Sequence, residues 1–550
     1  MHTFTPTPDA AGSVALSAAL GVLPLLTFFA TLLGLRLKAW QSGLAALVVA
    51  LLVAVLGFHM PAHLAALAAA QGATFGLFPI VWIVVMALWF YQVTVLSGRF
   101  DDMRAIFDSL GGGDIRIQAV LIAFCFGGLL EALAGFGAPV AITATMVLGL
   151  GVPPLRAATA VLLANTAPVA FGAVGTPITT AGTLTGIPAT HIGAIVGHQA
   201  PFVAVFVPFL LVFIIDGLRG VRQTWPALIV IGASFAVAIW LASTHFSYEL
   251  TDVVASLVSL AAAVLLLRFW RPRGAEEARQ RLDAPARAAA QDLTPGRIFM
   301  AVLPYIVVVA VFALAKLVPS ITAALNSATA KIPWPGLDGH LVDASGAPLA
   351  STVYKFEWLA SPGTLLLIAG LIMAVVYSRF DHDGRFPLSV GNALAEIGRC
   401  FARMRWSALT IVIVLSLAYV MNFSGQTVAM GTWVAGLGAA FVFLSPVLGW
   451  LGTAVTGSDT SANALFATLQ QTAAQKAGID PTLLVAANTT GGVVGKLVSP
   501  QNLTIAATAV GLVGQESAIL RKVLPWSVGL IIVMCLLVGL QSTVLSGMLP

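Results

Sequence analysis

Residues 131–177 read EALAGFGAPVAITATMVLGLGVPPLRAATAVLLANTAPVAFGAVGTP, and this stretch limits what the chain can fold into. It is apolar enough to lie in a membrane, yet it carries Glu131, Arg156, Asn165 and many glycines and prolines. A plain lipid-facing helix is not built this way. Backbone groups freed by Gly and Pro are costly in hydrocarbon unless protein or water satisfies them again. Broken apolar segments holding a few polar groups are how transporters build binding sites.

The pattern returns in the second half. Asn165, Thr166, Gly172 and Pro177 match Asn488, Thr489, Gly495 and Pro500 without a gap, and both copies begin Ala-Asn-Thr. Upstream of each lies a break with a carboxylate nearby. The first is GFGAP at 135–139, preceded by Glu131, and the second is GSDTSAN at 457–463, containing Asp459. Spacing, polarity and flanking breaks together point to an internal repeat. The run at 75–96 would travel inward and that at 407–421 outward, which favours an inverted one.

Of the 550 residues 59% are hydrophobic and only 9% charged, against roughly 25% charged in soluble domains. The fold class is therefore an all-α polytopic membrane protein. At about 20 residues per span it should have roughly 12 to 14 transmembrane elements, some of them broken helices or re-entrant hairpins. Apolar runs at 14–35, 42–58, 75–96, 192–215, 225–241, 253–269, 298–318, 364–377, 407–421, 428–444 and 524–545 surround two core stretches, 117–183 and 449–513. The chain divides into an N-terminal membrane half (1–269), a charged cytoplasmic linker (270–297) and a C-terminal membrane half (298–550). The first run lacks a preceding basic region and is long enough to span, so it reads as an uncleaved helix.

Net charge is +5, but the basic residues cluster in loops and give an orientation signal, so no nucleic acid is expected. The clusters at 36–38, 99–116, 219–222, 268–297, 379–405 and 521–522 form one side, cytoplasmic by the positive-inside rule. The loop 319–361 and both termini would then be periplasmic. Cys125, Cys400 and Cys535 show neither metal spacing nor a disulfide framework, and DHDG at 381–384 lacks the later bidentate Glu of a calcium loop. No metal or cofactor is expected.

A few polar residues remain inside the apolar stretches. Pro139 can sit in the first turn of a half-helix after GFGA, having no N–H to lose. The open N–H groups around Gly135, Gly137 and Ala138, at the positive end of that helix, suit a carboxylate. Ser458, Asp459, Thr460 and Ser461 are good N-caps for the next helix, so Asp459 is either a cap or an ion or proton site. Glu131 lies four residues before its break. A charge at bilayer depth costs about 3 kcal/mol, which makes Glu131 a candidate proton carrier or a member of an ion pair. Lys496, behind Gly491, Gly492 and Gly495, can hold an anion or pair with Glu131 or Asp459. Asn165, Thr166, Asn488 and Thr489 can ligate an ion, bind substrate or satisfy loose carbonyls. His198 titrates near neutral pH but can equally be structural.

The stretches EALAGFGAPVAITA, LLANTAPVAFGAVGTPI, GSDTSANALFATLQ and LLVAANTTGGVVGKLVSPQNL resemble the L-lactate permease family of bacterial inner-membrane transporters. The resemblance implies proton-coupled uptake of L-lactate, with D-lactate and glycolate as further substrates. It also brings in, by analogy, inverted repeats, re-entrant hairpins, homodimers and an elevator motion. It lets Glu131 and Asp459 be carried over as proton-coupling residues and Lys496 as substrate-binding, and the reading of the residues sets Gly135, Gly137, Ala138, Asn165, Thr166, Ser458, Thr460, Ser461, Asn488, Thr489 and His198 beside it as further substrate-binding candidates. The family often has Arg where this chain has His198, which shifts the burden of anion binding to Lys496. The rival readings are a sodium-coupled carboxylate transporter and, more remotely, a membrane-embedded enzyme, for which no second Gly-Asp motif is evident.

Overall fold

Among the residues described by the computed structural model (3–35, 37–110, 113–135, 137–282, 294–343, 346–380 and 386–550), ten helices are long and apolar enough to cross a membrane. The number rises to eleven if the bent pair Pro154–Ala164 and Val169–Thr185 is one span, and Ala138–Gly149 and Ala440–Thr456 are shorter apolar helices. The chain is thus an all-α polytopic membrane protein. The only paired strands among the described residues, Ala330–Pro333 and Val353–Phe356, form an antiparallel ribbon in the loop 319–361.

Two groups of helices pack together, and each draws on both sequence halves. Ala39–Leu52, Ala62–Phe75 and Trp82–Leu96 pack on the long helix Val390–Ser424, and Pro362–Arg379 packs between Trp82–Leu96 and Pro295–Leu317. The second group contains the broken segments. Here Ala440–Thr456 packs on Pro481–Gly495, and Gly172–Thr185 packs on Asp459–Ala477. Val207–His245 lies against Thr251–Phe269. Burial varies widely among the spans: the apolar stretch of Ile115–Leu133 is wholly buried, but only a third of that in Val14–Leu32 is. An apolar helix that stays exposed in this way is a lipid-facing one.

The structure revises several boundaries read from hydropathy. The run 428–444 is not one span. It splits into Gln426–Ala435 and Ala440–Thr456 around a turn in which Gly438 has φ 56°. The runs 192–215 and 225–241 are joined through helix, Ala189–His245, interrupted at Gly217 (φ 72°, ψ −166°). Val390–Ser424 has 35 residues, so at 1.5 Å per residue it is about 50 Å long and outruns a 30 Å hydrocarbon layer. Its excess N-terminal turns carry Glu396, which pairs with Arg399 (3.0 Å) and Arg403.

Many of the residues assigned to the basic side do gather. Arg116 is fully buried and bonds Asp114, Asp216, Gln223 and the carbonyl of Arg273. Arg281 reaches the same Asp216 at 2.8 Å, Arg219 pairs with Glu277, and Arg297 with Asp102. Of the linker, Ala275–Arg281 is helical, while 283–293 lie outside the described residues, as do Arg36 and the 381–384 turn.

Candidate functional site

Four interruptions of helix meet in the second group. The helix Gly127–Ala134 stops at Gly135 (φ 29°, ψ −151°), and Gly137 (φ 89°) starts Ala138–Gly149 with Pro139 in its first turn. Pro154–Ala164 ends at Asn165, and the chain then bends by 58°. Ala440–Thr456 ends at Gly457 (φ 74°). Ser458 caps the next helix, its hydroxyl accepting the Ser461 N–H at 3.3 Å. Pro481–Gly495 gives way to a 3-10 turn at Lys496–Val498 before Pro500–Ala509 begins, capped by Ser499. Gly recurs at these points because it takes positive φ without strain, and Pro because it starts a helix without an N–H to satisfy.

The second interruption is strained. Ala173 (φ 45°), Val174 (φ 58°) and Gly175 (φ 68°) lie consecutively in the left-handed region. That conformation costs about 1–2 kcal/mol for each residue with a Cβ, and such strain clusters at ligand clamps and switch regions. Replacing Ala173 with Gly should therefore raise thermal stability by about 1 kcal/mol, read as a higher melting temperature in detergent. A side chain at this cavity wall is otherwise the only thing lost.

The breaks enclose a cavity of about 40 Å³ lined by Glu131, Gly135, Ala173, Pro177, Gly457, Ser458, Asp459, Thr460 and Lys496, among others. That is room for only a few waters. Lys496 Nζ donates to Glu131 Oε1 at 2.6 Å, and both side chains are buried. Asn165 Nδ2 donates to the other oxygen, Oε2, at 2.9 Å. Glu131 is thereby held by one residue from each copy of the repeated motif. A methyl on Gly172 would lie 2.9 Å from Glu131 Oε1, so that glycine makes room for the carboxylate. Asp459 accepts a long 3.4 Å bond from Thr453, and its Oδ2 has no partner among the described residues. Gly492 leaves the space that the Asp459 carboxylate fills.

Other residues singled out in the sequence sit beside the cavity without lining it. Asn488 and Thr489 are bonded to Asn463 (2.9 and 3.1 Å), and Gln470 donates to Asn488 at 3.3 Å. Asn463 also donates to the carbonyl of Pro177 at 3.2 Å, which ties the two broken segments together. Thr166 bonds the carbonyl of Leu163, and Gly137 faces Ile505 and Asn502 across to Pro500–Ala509. Ala138 begins its half-helix and Ser461 lies in the first turn of its own. His198 stands apart: Nδ1 donates to the carbonyl of Ala194 at 2.7 Å, and Nε2 accepts from Trp240 at 2.9 Å.

Sequence reading passed over Asn463 and Gln470 as individual residues, and the buried bridge Gln541–Gln199–Thr490 (3.0 and 2.8 Å) that spans the two halves. A signal existed: amides are rare inside apolar runs, and buried ones need partners.

Residues 17–545 match the family described as L-lactate permease. The L-lactate permease of Bacillus subtilis (strain 168) is 42% identical over 98% of this chain and 98% of its own. The glycolate permease GlcA and the L-lactate permease of Escherichia coli (strain K12) are each 40% identical over the full length of both chains. Among solved structures, the Alcanivorax borkumensis YdaH transporter superposes over 88% of this chain and 89% of its own with a TM-score of 0.45 and 17% identity. With one family matching almost end to end, and full-length relatives at this level of identity, the protein belongs to the L-lactate permease family.

Proposed function

We propose that the protein is a secondary transporter of the bacterial inner membrane that takes up L-lactate, and also D-lactate and glycolate, together with a proton. The observation that carries this reading is the Lys496–Glu131 pair, buried where the helix breaks converge. A small carboxylate can replace Glu131 as the partner of Lys496. Glu131 then loses its counter-charge, and a proton is the simplest replacement for it. One anion enters with one proton, so the loaded site carries no more net charge than the empty one. That matters because a bare charge at bilayer depth costs about 3 kcal/mol.

Asp459, with an unpartnered oxygen at the cavity wall, is a second protonatable group. Ser458 and Thr460 meet the 2-hydroxyl that lactate and glycolate share. The positive ends of the half-helices that begin at Ala138 and Asp459 favour the substrate carboxylate. Asn165 keeps Glu131 oriented for the exchange. The names and full-length similarity of the permease relatives support this substrate class. The charge clusters support periplasmic termini, and the opposite directions of the runs 75–96 and 407–421 support an inverted relation of the two halves.

Purified protein in liposomes should accumulate labelled L-lactate under an imposed pH gradient, acid outside, without sodium. Excess glycolate should compete. Accumulation that requires sodium at fixed pH, or uptake that only equilibrates, would refute proton symport.

A further inference from the structure

The cavity does not contain every buried carboxyl of this region. Asp252, in the first turn of Thr251–Phe269, is completely buried, and neither of its oxygens has a hydrogen-bond partner among the described residues. The charges of Glu131 and Lys496 both reach it.

Packing explains that proximity. The segment carrying Glu131 and the helix carrying Asp252 run antiparallel. At one end Arg116 donates to the carbonyl of Arg273 at 2.7 Å. Further along, Cys125 Sγ and Ser259 Oγ are 3.5 Å apart. A turn later a methyl on Gly128 would lie 2.6 Å from Ser256 Oγ, so the backbones approach closely there. One more turn on both helices sets Glu131 opposite Asp252, since residues three or four apart share a helix face. Ser256 Oγ is likewise without a partner among the described residues. Behind the ion pair there is thus a narrow polar strip, Asp252 and Ser256, enclosed by apolar packing that includes Phe235 of the neighbouring helix.

The other titratable groups nearby are engaged elsewhere. Glu249 accepts the Ser247 hydroxyl at 2.6 Å, Tyr248 meets Thr179 at 3.1 Å, and Cys125 faces Ser259. Pro295–Leu317, which touches the same helix, carries Arg297, paired with Asp102, and Tyr305, whose electrostatic neighbour is Tyr91.

We propose that Asp252 is the inner member of a carboxyl pair with Glu131 and relays the transported proton to it. The inference rests on the proton-coupled reading above. Lys496 balances only one negative charge. In the empty arrangement Glu131 is ionised against Lys496, and Asp252 holds a proton, because an unpartnered buried anion is too costly. When a substrate carboxylate takes Lys496, the O–H bond of Asp252 breaks and its proton moves to Glu131. A second proton from the aqueous face replaces it in the same step, so Asp252 is not left as an unpartnered anion. The balance is one proton gained per anion bound, and both states are neutral. Asp252 touches no substrate, so it acts through Glu131.

The test is Asp252→Asn in liposomes beside the wild type. Asparagine keeps the volume but cannot pass a proton. Exchange of internal for external labelled lactate should persist, since the loaded carrier can cross without releasing its proton. Accumulation driven by the pH gradient should slow roughly a hundredfold, and its pH profile should flatten. Asp252→Glu should restore accumulation. An Asp252→Asn protein that accumulates lactate with the wild-type pH profile overturns the relay, as does parallel loss of exchange and accumulation in a folded variant. A wild type that fails to accumulate under the gradient would instead refute the symport reading itself. Should Asp252→Asn not fold, infrared spectra of the Asp459→Asn protein decide. A deuterium-sensitive protonated-carboxyl band before lactate is added supports the relay, and its absence overturns it.

Discussion

Lys496→Ala should abolish concentrative L-lactate uptake and destabilise the protein together. Removing one partner of a buried ion pair strands the other, at about 3–5 kcal/mol. Here the stranded group is Glu131, which would retain only Asn165. Losing a buried charged contact to the substrate weakens binding by about 2–5 kcal/mol, or roughly thirty-fold to several thousand-fold. The two effects separate in the double variant Glu131→Ala/Lys496→Ala. Replacing both members of a buried pair with apolar groups is often nearly neutral, so the melting temperature should largely recover while uptake stays lost. A double variant as unstable as the single one would show that Lys496 matters through its packing. Glu131→Gln should behave differently from both. It should bind lactate with Lys496 freed, yet fail to accumulate it against a gradient, and retained accumulation would remove Glu131 as the coupling site.

Gly491→Ala should prevent stable folding. A methyl there would run into the carbonyl of Pro446, and one on Gly495, a turn later, would meet backbone atoms of Trp450 and Ala454. From the facing helix, Gly449 makes the same approach to the carbonyl of Asn488. Small residues at such a spacing let membrane helices pack backbone to backbone. Overpacking by one methyl usually costs about 1–3 kcal/mol, and these obstacles are main chain, which cannot rotate aside. The damage also passes directly to the site, because Lys496 follows Gly495 and turns out of the helix at that point. The control is Gly398→Ala, where a methyl meets nothing within 4 Å. It should leave stability unchanged or raise it by up to about 1 kcal/mol. Fluorescence-detected size exclusion after heating distinguishes the two, and a Gly491→Ala protein as stable as the control would contradict the close packing.

These expectations draw on different levels of organisation. The interruptions at Gly135 and Gly457 were legible in sequence, because Gly and Pro act on their own backbone and a carboxylate or lysine in an apolar run carries its cost wherever it lies. Glu131, Asp459 and Lys496 could therefore be named from composition and position. Their grouping could not. Lys496 and Glu131 are 365 positions apart, and nothing in the local pattern chooses Glu131 over Asp459 as the partner. The repeated Ala-Asn-Thr shows the same limit: Asn165 at a helix end reaches Glu131, while Asn488 inside a continuous helix is used by Asn463 and Gln470.

Hydropathy also misjudged what lies between elements. The run 428–444 reads as one apolar window, yet it turns at 436–439, where Gly438 takes φ 56°, and its two arms pack on different helices, Gln426–Ala435 on Val14–Phe29 and Ala440–Thr456 on Pro481–Gly495. Asp252 was left at the edge of the run 253–269 because a charged residue ends an apolar window, whether or not the fold buries it. The sequence by itself determined that this chain lies in a membrane, that helices break at 135–139 and 457–463, and that Glu131, Asp459 and Lys496 are held among apolar residues there, since each of these is a cost borne locally. The tertiary structure alone decided which trapped groups neutralise one another. Charge pairing depends on distance in space, and only the packing of two distant halves brings Lys496 to Glu131 and sets Asp252 behind them.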